Sequence, residues 1–309
     1  MSNEKRTAVI LMAYGTPRTK DEILPYYTDI RRGRPPTPEL LQDLTDRYEA
    51  IGGLSPLKQL TEDQRDALQR ELDAIAPGAY HVTLGLKHAT PFIEEAVAEV
   101  AASGFKRIVG LVLAPHFSSY SIGQYIGRVR EAAAPHGIDV TGIDSWATEP
   151  AFVDFLAADM TNKLATMPEK TKVLFTAHSL PQRIIDGGDP YPDELRATAE
   201  AVAEKVGLTR WSQWSIAWQS AGRTPEPWIG PDILEVIDSF GAQKSTDEPI
   251  EGVLVSACGF VADHLEVLYD LDIEASHRAA THGLAFGRTA CVNADANVMA
   301  ALARRVVAA

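Results

Sequence analysis

The chain has 309 residues, 45% hydrophobic and 23% charged, enough for two mid-sized domains with a substantial core, and disorder is excluded. Its 29 Lys and Arg face 42 Asp and Glu, a formal net charge of −13 that repels phosphate backbones and anionic lipid and argues against nucleic acid or a membrane surface as main partner. Two cysteines, Cys258 and Cys291, are too few for a disulfide framework or a four-thiolate iron–sulfur site, and no apolar run reaches the ~20 residues of a membrane span. The chain reads as soluble and cytoplasmic.

AVILMAY (8–14) reads as a buried first strand rather than a secretion leader, because Gly15 and Pro17 end the run. The polar, Pro-rich stretch 26–57 then concentrates Arg31, Arg32, Arg34 and Arg47, with Tyr48 and Ser55 as hydroxyl donors. It is either a surface loop with solvated arginines or an anion-binding wall for a ligand carrying several carboxylates. HVTLGL (81–86) and RIVGLVLAP (107–115) are strand candidates around a helix over 90–104. A helix over 149–165 leads to KVLFTAH (172–178), and one over 193–207 to WSIAW (214–218). GVLVSAC (252–258) and a closing helix over 297–309 complete the series.

Fully apolar strands alternating with amphipathic helices predict an α/β protein with parallel sheets covered on both faces. RIVGLVLAPHFS echoes KVLFTAHSLP, and AVILMAYGTP echoes GVLVSACGF, as two Rossmann-like halves would. The boundary falls near Trp146–Pro150, giving domains 1–148 and 149–309, and the closing helix is free to pack on either half. No glycine-rich phosphate loop follows any of these strands.

Ligands of open α/β sheets sit at the carboxyl ends of the strands, here Tyr14, His116, His178 and the segment from Cys258. In GFVADHLEVLYDLDIEAS (259–276) a helix would line up Glu266, Asp270 and Glu274 at i, i+4 and i+8, with Asp263 extending the line. A cation would relieve their repulsion; a solvated acidic face is the other reading. A neutral imidazole at His178 suits Fe2+ or Zn2+ and accepts protons near neutral pH, although a strand-end histidine also serves as a plain hydrogen-bonded residue. His88 and His116 share that ambiguity. No HExxH or CxxC pair is present, so no tight closed metal site is written, and a labile one suits a metal being delivered.

LMAYGTP (11–17), IRRGRPP (30–36), DRYEAIGGLSPL (46–57), GLKHATPFIEEAV (85–97), LAPHFSSYS (113–121), TAHSLP (176–181), GDPYPDEL (188–195), WQSAGRTPEPWIGPD (218–232) and GFVADHLEVLYD (259–270) resemble ferrochelatase. The resemblance covers nearly the whole chain and is strongest to the soluble, coproporphyrin-using type of Gram-positive bacteria. It implies a type II chelatase fold, in which two Rossmann-like domains flank a cleft where Fe2+ enters a porphyrin. His178 then matches the metal-site histidine and Glu266 the carboxylate facing it, both catalytic. Asp270 and Glu274 continue an acidic ridge for metal or protons, and Tyr14 matches a tyrosine on the opposite porphyrin face that can ligate iron. Arg31, Arg47, Tyr48, Ser55 and Tyr125 match propionate-holding positions, and Tyr14 and His88 join the substrate-binding set.

Coproporphyrin III carries four propionates and protoporphyrin IX two, so the arginines favour the former, giving coproheme. Protoporphyrin IX as substrate and a non-catalytic tetrapyrrole carrier are the alternatives. Fe2+ enters as substrate, with no permanently bound cofactor and no 2Fe–2S cluster expected. A monomer that hands coproheme to a decarboxylase is the expected setting. The segment 277–291, with His277, His282 and Cys291, departs from the resemblance.

Overall fold

The computed structural model describes residues 6–208, 212–222, 224–242 and 249–309; Arg223, inside the 218–232 stretch, lies outside them. The strands are β1 (Thr7–Ala13), β2 (Tyr80–Leu86), β3 (Arg107–Val112), β4 (Asp139–Ile143), β5 (Thr171–His178), β6 (Trp214–Gln219), β7 (Gly252–Ser256) and β8 (Ala285–Arg288). They form two parallel four-stranded sheets, β2-β1-β3-β4 and β6-β5-β7-β8.

The two sheets therefore share one strand order, and β1 and β5 hold the same place in it. That corrects the echo drawn from the sequence. The topology matches β1 with β5 and β3 with β7, so the equivalent strand ends are Ala13-Tyr14-Gly15-Thr16-Pro17 and Ala177-His178-Ser179-Leu180-Pro181. Apolar central strands resemble one another too closely for composition to sort them. The edge strands β4 and β8 were not foreseen, because DVTGI and AFGR are short and half-exposed. The strands expected to reach Pro115 and Cys258 stop at Val112 and Ser256.

The helices are α1 (Ile23–Ile30), α2 (Pro38–Ala50), α3 (Leu57–Ile75), α4 (Ile93–Ala102), α5 (Ile122–Ala133), α6 (Pro150–Leu164), α7 (Gln182–Asp186), α8 (Tyr191–Val206), α9 (Ile233–Ala242), α10 (Leu265–Leu268), α11 (Ser276–Thr281) and α12 (Ala296–Ala308), with a π-helical turn at Asp270–Ala275. The stretch 26–57, read as a Pro-rich loop, is mostly α1 and α2. Thr37 caps α2 by accepting from Leu40 N, and Pro38 opens it where its missing N–H costs nothing. Between the two helices the chain reverses through Arg32 (φ 57°) and Gly33 (φ 81°).

Alternation along β1 splits the core. Val9 and Leu11 face a shared interior with Leu68 and Leu72 of α3, Val173 and Phe175 of β5, Trp146, Phe152 and Leu302. Ala8, Ile10 and Met12 face the opposite layer, against Ile93, Ile126 and Val129. Beyond the second sheet, Leu174, Val253 and Val255 pack on Ile237 and Leu271. The closing helix α12 lies on α3 and α6. Among the described residues no helix is long and apolar enough to cross a membrane.

Candidate active site

His178 is the last residue of β5. Its Nδ1 donates to the Ser179 carbonyl at 2.5 Å, since a carbonyl oxygen only accepts. That leaves Nε2 as the nitrogen turned to Glu266, 3.8 Å from its Oε1. That gap is close to the sum of two metal–ligand bonds of ~2.0–2.2 Å. Both side chains are partly open, 35% and 39% exposed.

Glu266 sits in the first turn of α10, and His264 caps that helix. The His264 Nδ1 accepts from Glu266 N at 3.1 Å and Val267 N at 3.3 Å, so its proton is on Nε2. Burial lowers the His264 pKa, keeping it neutral for that task. Gln219, at the end of β6, donates to the Glu266 carbonyl at 3.3 Å and accepts from Thr176 at 2.9 Å, tying the helix to the sheet. Neither His264 nor Gln219 was singled out from the sequence.

Beyond Glu266 the backbone widens. Glu274 N bonds Tyr269 O at 2.9 Å, an i→i+5 step. A π turn rotates less per residue than an α turn, so Glu274 is carried back toward Glu266 instead of drifting past it. Asp270, between them, is buried at 8% exposure. Burial first, and then the Glu266 charge, push its pKa up to about 7 against the Ser220 hydroxyl and Arg47. Ser220 Oγ donates to Asp270 Oδ2, and Arg47 Nη1 stands 3.4 Å from Oδ1.

Tyr14 follows β1 and is 41% exposed, its ring tilted 58° against that of His88 with centroids 4.5 Å apart. Burial raises the Tyr14 pKa, and the Glu266 charge adds to this. His88 donates to Asp29 at 2.7 Å, and burial lowers its pKa. Four expected propionate residues are already engaged. Arg47 pairs with Asp270 and with Asp43 at 3.4 Å, under the Tyr269 ring. Tyr48 is 3% exposed, its hydroxyl 3.5 Å from that of Thr16. Ser55 accepts from Leu57 N at 3.2 Å to start α3. Tyr125 is buried under the Lys87 ammonium. Arg31 stays half-exposed over Tyr27.

Lys87 is the cation that sequence reasoning missed. Its Nζ donates to Gln124 at 3.0 Å, and burial, then the charges of Arg128 and Arg32, bring its pKa down to about 8. An incoming carboxylate would relieve that crowding. A lysine beside His88 in GLKHATP was the available signal.

The segment 277–291 ties secondary structure together. Arg278 of α11 and His282 just after it reach Asp238 of α9 at 2.5 and 2.8 Å, and Arg288 pairs with Asp272 and Asp263 at 2.8 and 3.2 Å. Cys258 and Cys291 are both buried, and burial pushes the Cys258 thiol up to about 12. Among the described residues no three His, Cys, Asp or Glu side chains converge as a metal site, and His178 and Glu266 stand as a pair.

A family model described as Ferrochelatase matches residues 6–309. The chain is 43% identical over 305 residues to the coproporphyrin III ferrochelatase of Halalkalibacterium halodurans, covering 97% of this chain and 96% of that one. It is 43% identical over 296 residues to the ferrochelatase of Herpetosiphon aurantiacus, covering 94% of each. The solved structure of SirB from Bacillus subtilis with Fe3+ matches at a TM-score of 0.56 and 12% identity, over 98% of this chain and 94% of that one, a likeness of fold alone. With the match spanning the chain from Arg6 to its end, this protein belongs to the ferrochelatase family.

Proposed function

We propose that this chain inserts Fe2+ into coproporphyrin III, releasing two protons and giving coproheme. The observation that carries the reading is the His178–Glu266 pair, an imidazole nitrogen 3.8 Å from a carboxylate with both side chains partly exposed. One borderline nitrogen and one hard oxygen hold Fe2+ weakly enough to release it to the ring. In this reading Glu266 accepts the pyrrole protons, and Asp270, its pKa near 7, passes them outward with Glu274. Tyr14 waits on the opposite ring face, and its raised pKa keeps it a neutral phenol.

Relatives of equal identity carry both the coproporphyrin and the unqualified name, so the substrate rests on charge. Arg31, Arg32 and Arg34 at the α1–α2 turn, with Lys87 on the Tyr14 wall, suit four propionates better than two. We place the chain in the cytoplasm as a monomer, with a decarboxylase receiving the product. We place the division into two domains at 148/149, just ahead of α6.

The test is an anaerobic absorbance assay with Fe2+ and either coproporphyrin III or protoporphyrin IX. Turnover on coproporphyrin III alone is expected. Turnover on protoporphyrin IX alone would keep the chemistry and reject the charge argument, and tight binding without metallation would make the protein a carrier. His178→Ala is expected to abolish insertion while porphyrin still binds; metallation at the parental rate would sink the site.

A further inference from the structure

The two halves meet at the start of α8. Asp189, two residues ahead of Tyr191, accepts on Oδ1 from Tyr191 N at 3.1 Å. Its Oδ2 accepts from Ser119 N and Ser119 Oγ, both at 2.7 Å, and from Ser118 Oγ at 3.1 Å. Those serines belong to the loop after β3, in the first half. One carboxylate thus gathers four donors, three of them from across the seam. Nearby, Glu194 accepts from Phe117 N at 2.5 Å and Ser145 Oγ at 2.8 Å, which holds the same loop a second time.

Tyr191 is 7% exposed, packed against Trp218 with centroids 5.6 Å apart and edge-on to His116 at 6.3 Å. Its ring would fill that space without an oxygen. The hydroxyl nevertheless donates to the His178 carbonyl at 3.2 Å. That bond pins the peptide between His178 and Ser179, and the next carbonyl, that of Ser179, holds the imidazole Nδ1. A group that grips a metal between two side chains 3.8 Å apart is sensitive to displacements of a few tenths of an ångström, and such supporting hydrogen bonds set ligand orientation.

We infer that Asp189 and Tyr191 are positioning residues for His178: the carboxylate fixes the Ser118–Ser119 loop against α8, and the phenol passes that register to the imidazole facing Glu266. The inference rests on the reading of His178 as a metal-binding residue.

Tyr191→Phe and Asp189→Asn would be compared with the parent and with His178→Ala in anaerobic steady-state assays on Fe2+ and coproporphyrin III, with porphyrin Kd from fluorescence quenching. Tyr191→Phe is expected to raise the KM for Fe2+ about tenfold and to leave porphyrin Kd within about twofold, and Asp189→Asn to raise that KM while likewise sparing porphyrin Kd. A parental KM for Fe2+ in Tyr191→Phe overturns the inference. So does an equal rise in KM and porphyrin Kd, which a merely structural role would give. If His178→Ala itself turns over at the parental rate, the site reading fails first and the relay falls with it.

Discussion

His264 spends its ring on backbone. By accepting from Glu266 N and Val267 N it takes the place of the serine or aspartate that usually opens a helix, and the Glu266 carboxylate rides on the turn it secures. His264→Ala is expected to cost about 1 kcal/mol in urea unfolding and to slow insertion, whereas His264→Asn keeps an acceptor and most of the stability. Equal stability of the two variants would show that the cap is idle. His178 and Glu266 were legible because a strand end and a helical spacing both project onto sequence. His264 was not, since nothing in GFVADHLE distinguishes a capping imidazole from a packed one.

His116 makes a stability prediction at the same scale. Thr198 commits its proton to Ala147 O at 2.7 Å, so it accepts from His116 Nε2 at 2.8 Å and leaves the buried Nδ1 without a partner. Burial pushes the His116 pKa down to about 3 from its ordinary 6.5. The folded chain therefore keeps this ring neutral while the unfolded chain takes up a proton below about pH 6.5, so stability is full above that pH and falls as the pH drops toward 3. The slope from this residue reaches about 1.4 kcal/mol per pH unit. In chemical denaturation at pH 7, 5.5 and 4, His116→Gln is expected to lose stability less steeply than the parent. Parallel slopes would contradict the assignment.

At the scale of elements, the acidic line was drawn as one α-helix and is built as α10 followed by a π turn. The three carboxylates were legible, but the extra residue in the turn was not, because the packing of Leu271 and Ala275 into the second sheet's outer core holds it. The stretch 26–57 hid α1 and α2 in a similar way. Its prolines and arginines look like loop, although Thr37-Pro38 is a helix start. Since that turn leaves Arg31 half-exposed, its pull on a propionate is modest. Arg31→Ala is expected to weaken coproporphyrin III binding about two- to fivefold, and protoporphyrin IX binding less, by fluorescence titration. Equal losses would remove the charge argument for substrate.

Over the whole molecule, the alternation of strands and helices foretold two parallel sheets, but the interior they share was invisible to it. Val9 and Leu11 belong to one buried cluster with Val173 and Phe175, residues far apart in sequence. Gln64 of α3 donates to Val261 O at 3.3 Å and Asn293 O at 2.9 Å, and Arg305 of α12 reaches Glu149 and Ser145 O. Leu302, fully buried between α12 and α3, lies on this seam. Leu302→Ala is expected to cost about 2–5 kcal/mol and to shift one transition seen alike by fluorescence and circular dichroism. Two separated transitions would mean that the halves fold independently.

The shared strand order has one more consequence. Tyr14 and His178 occupy the same station in two copies of one architecture, at the tips of β1 and β5. Two identical tips would give the two faces of a flat macrocycle equivalent surroundings, and metal could approach through either side with equal ease. A phenol on one side and an imidazole backed by carboxylates on the other abolish that equivalence. In the proposed binding mode the ring gains an entrance and a stop, which would make traffic through its centre one-way.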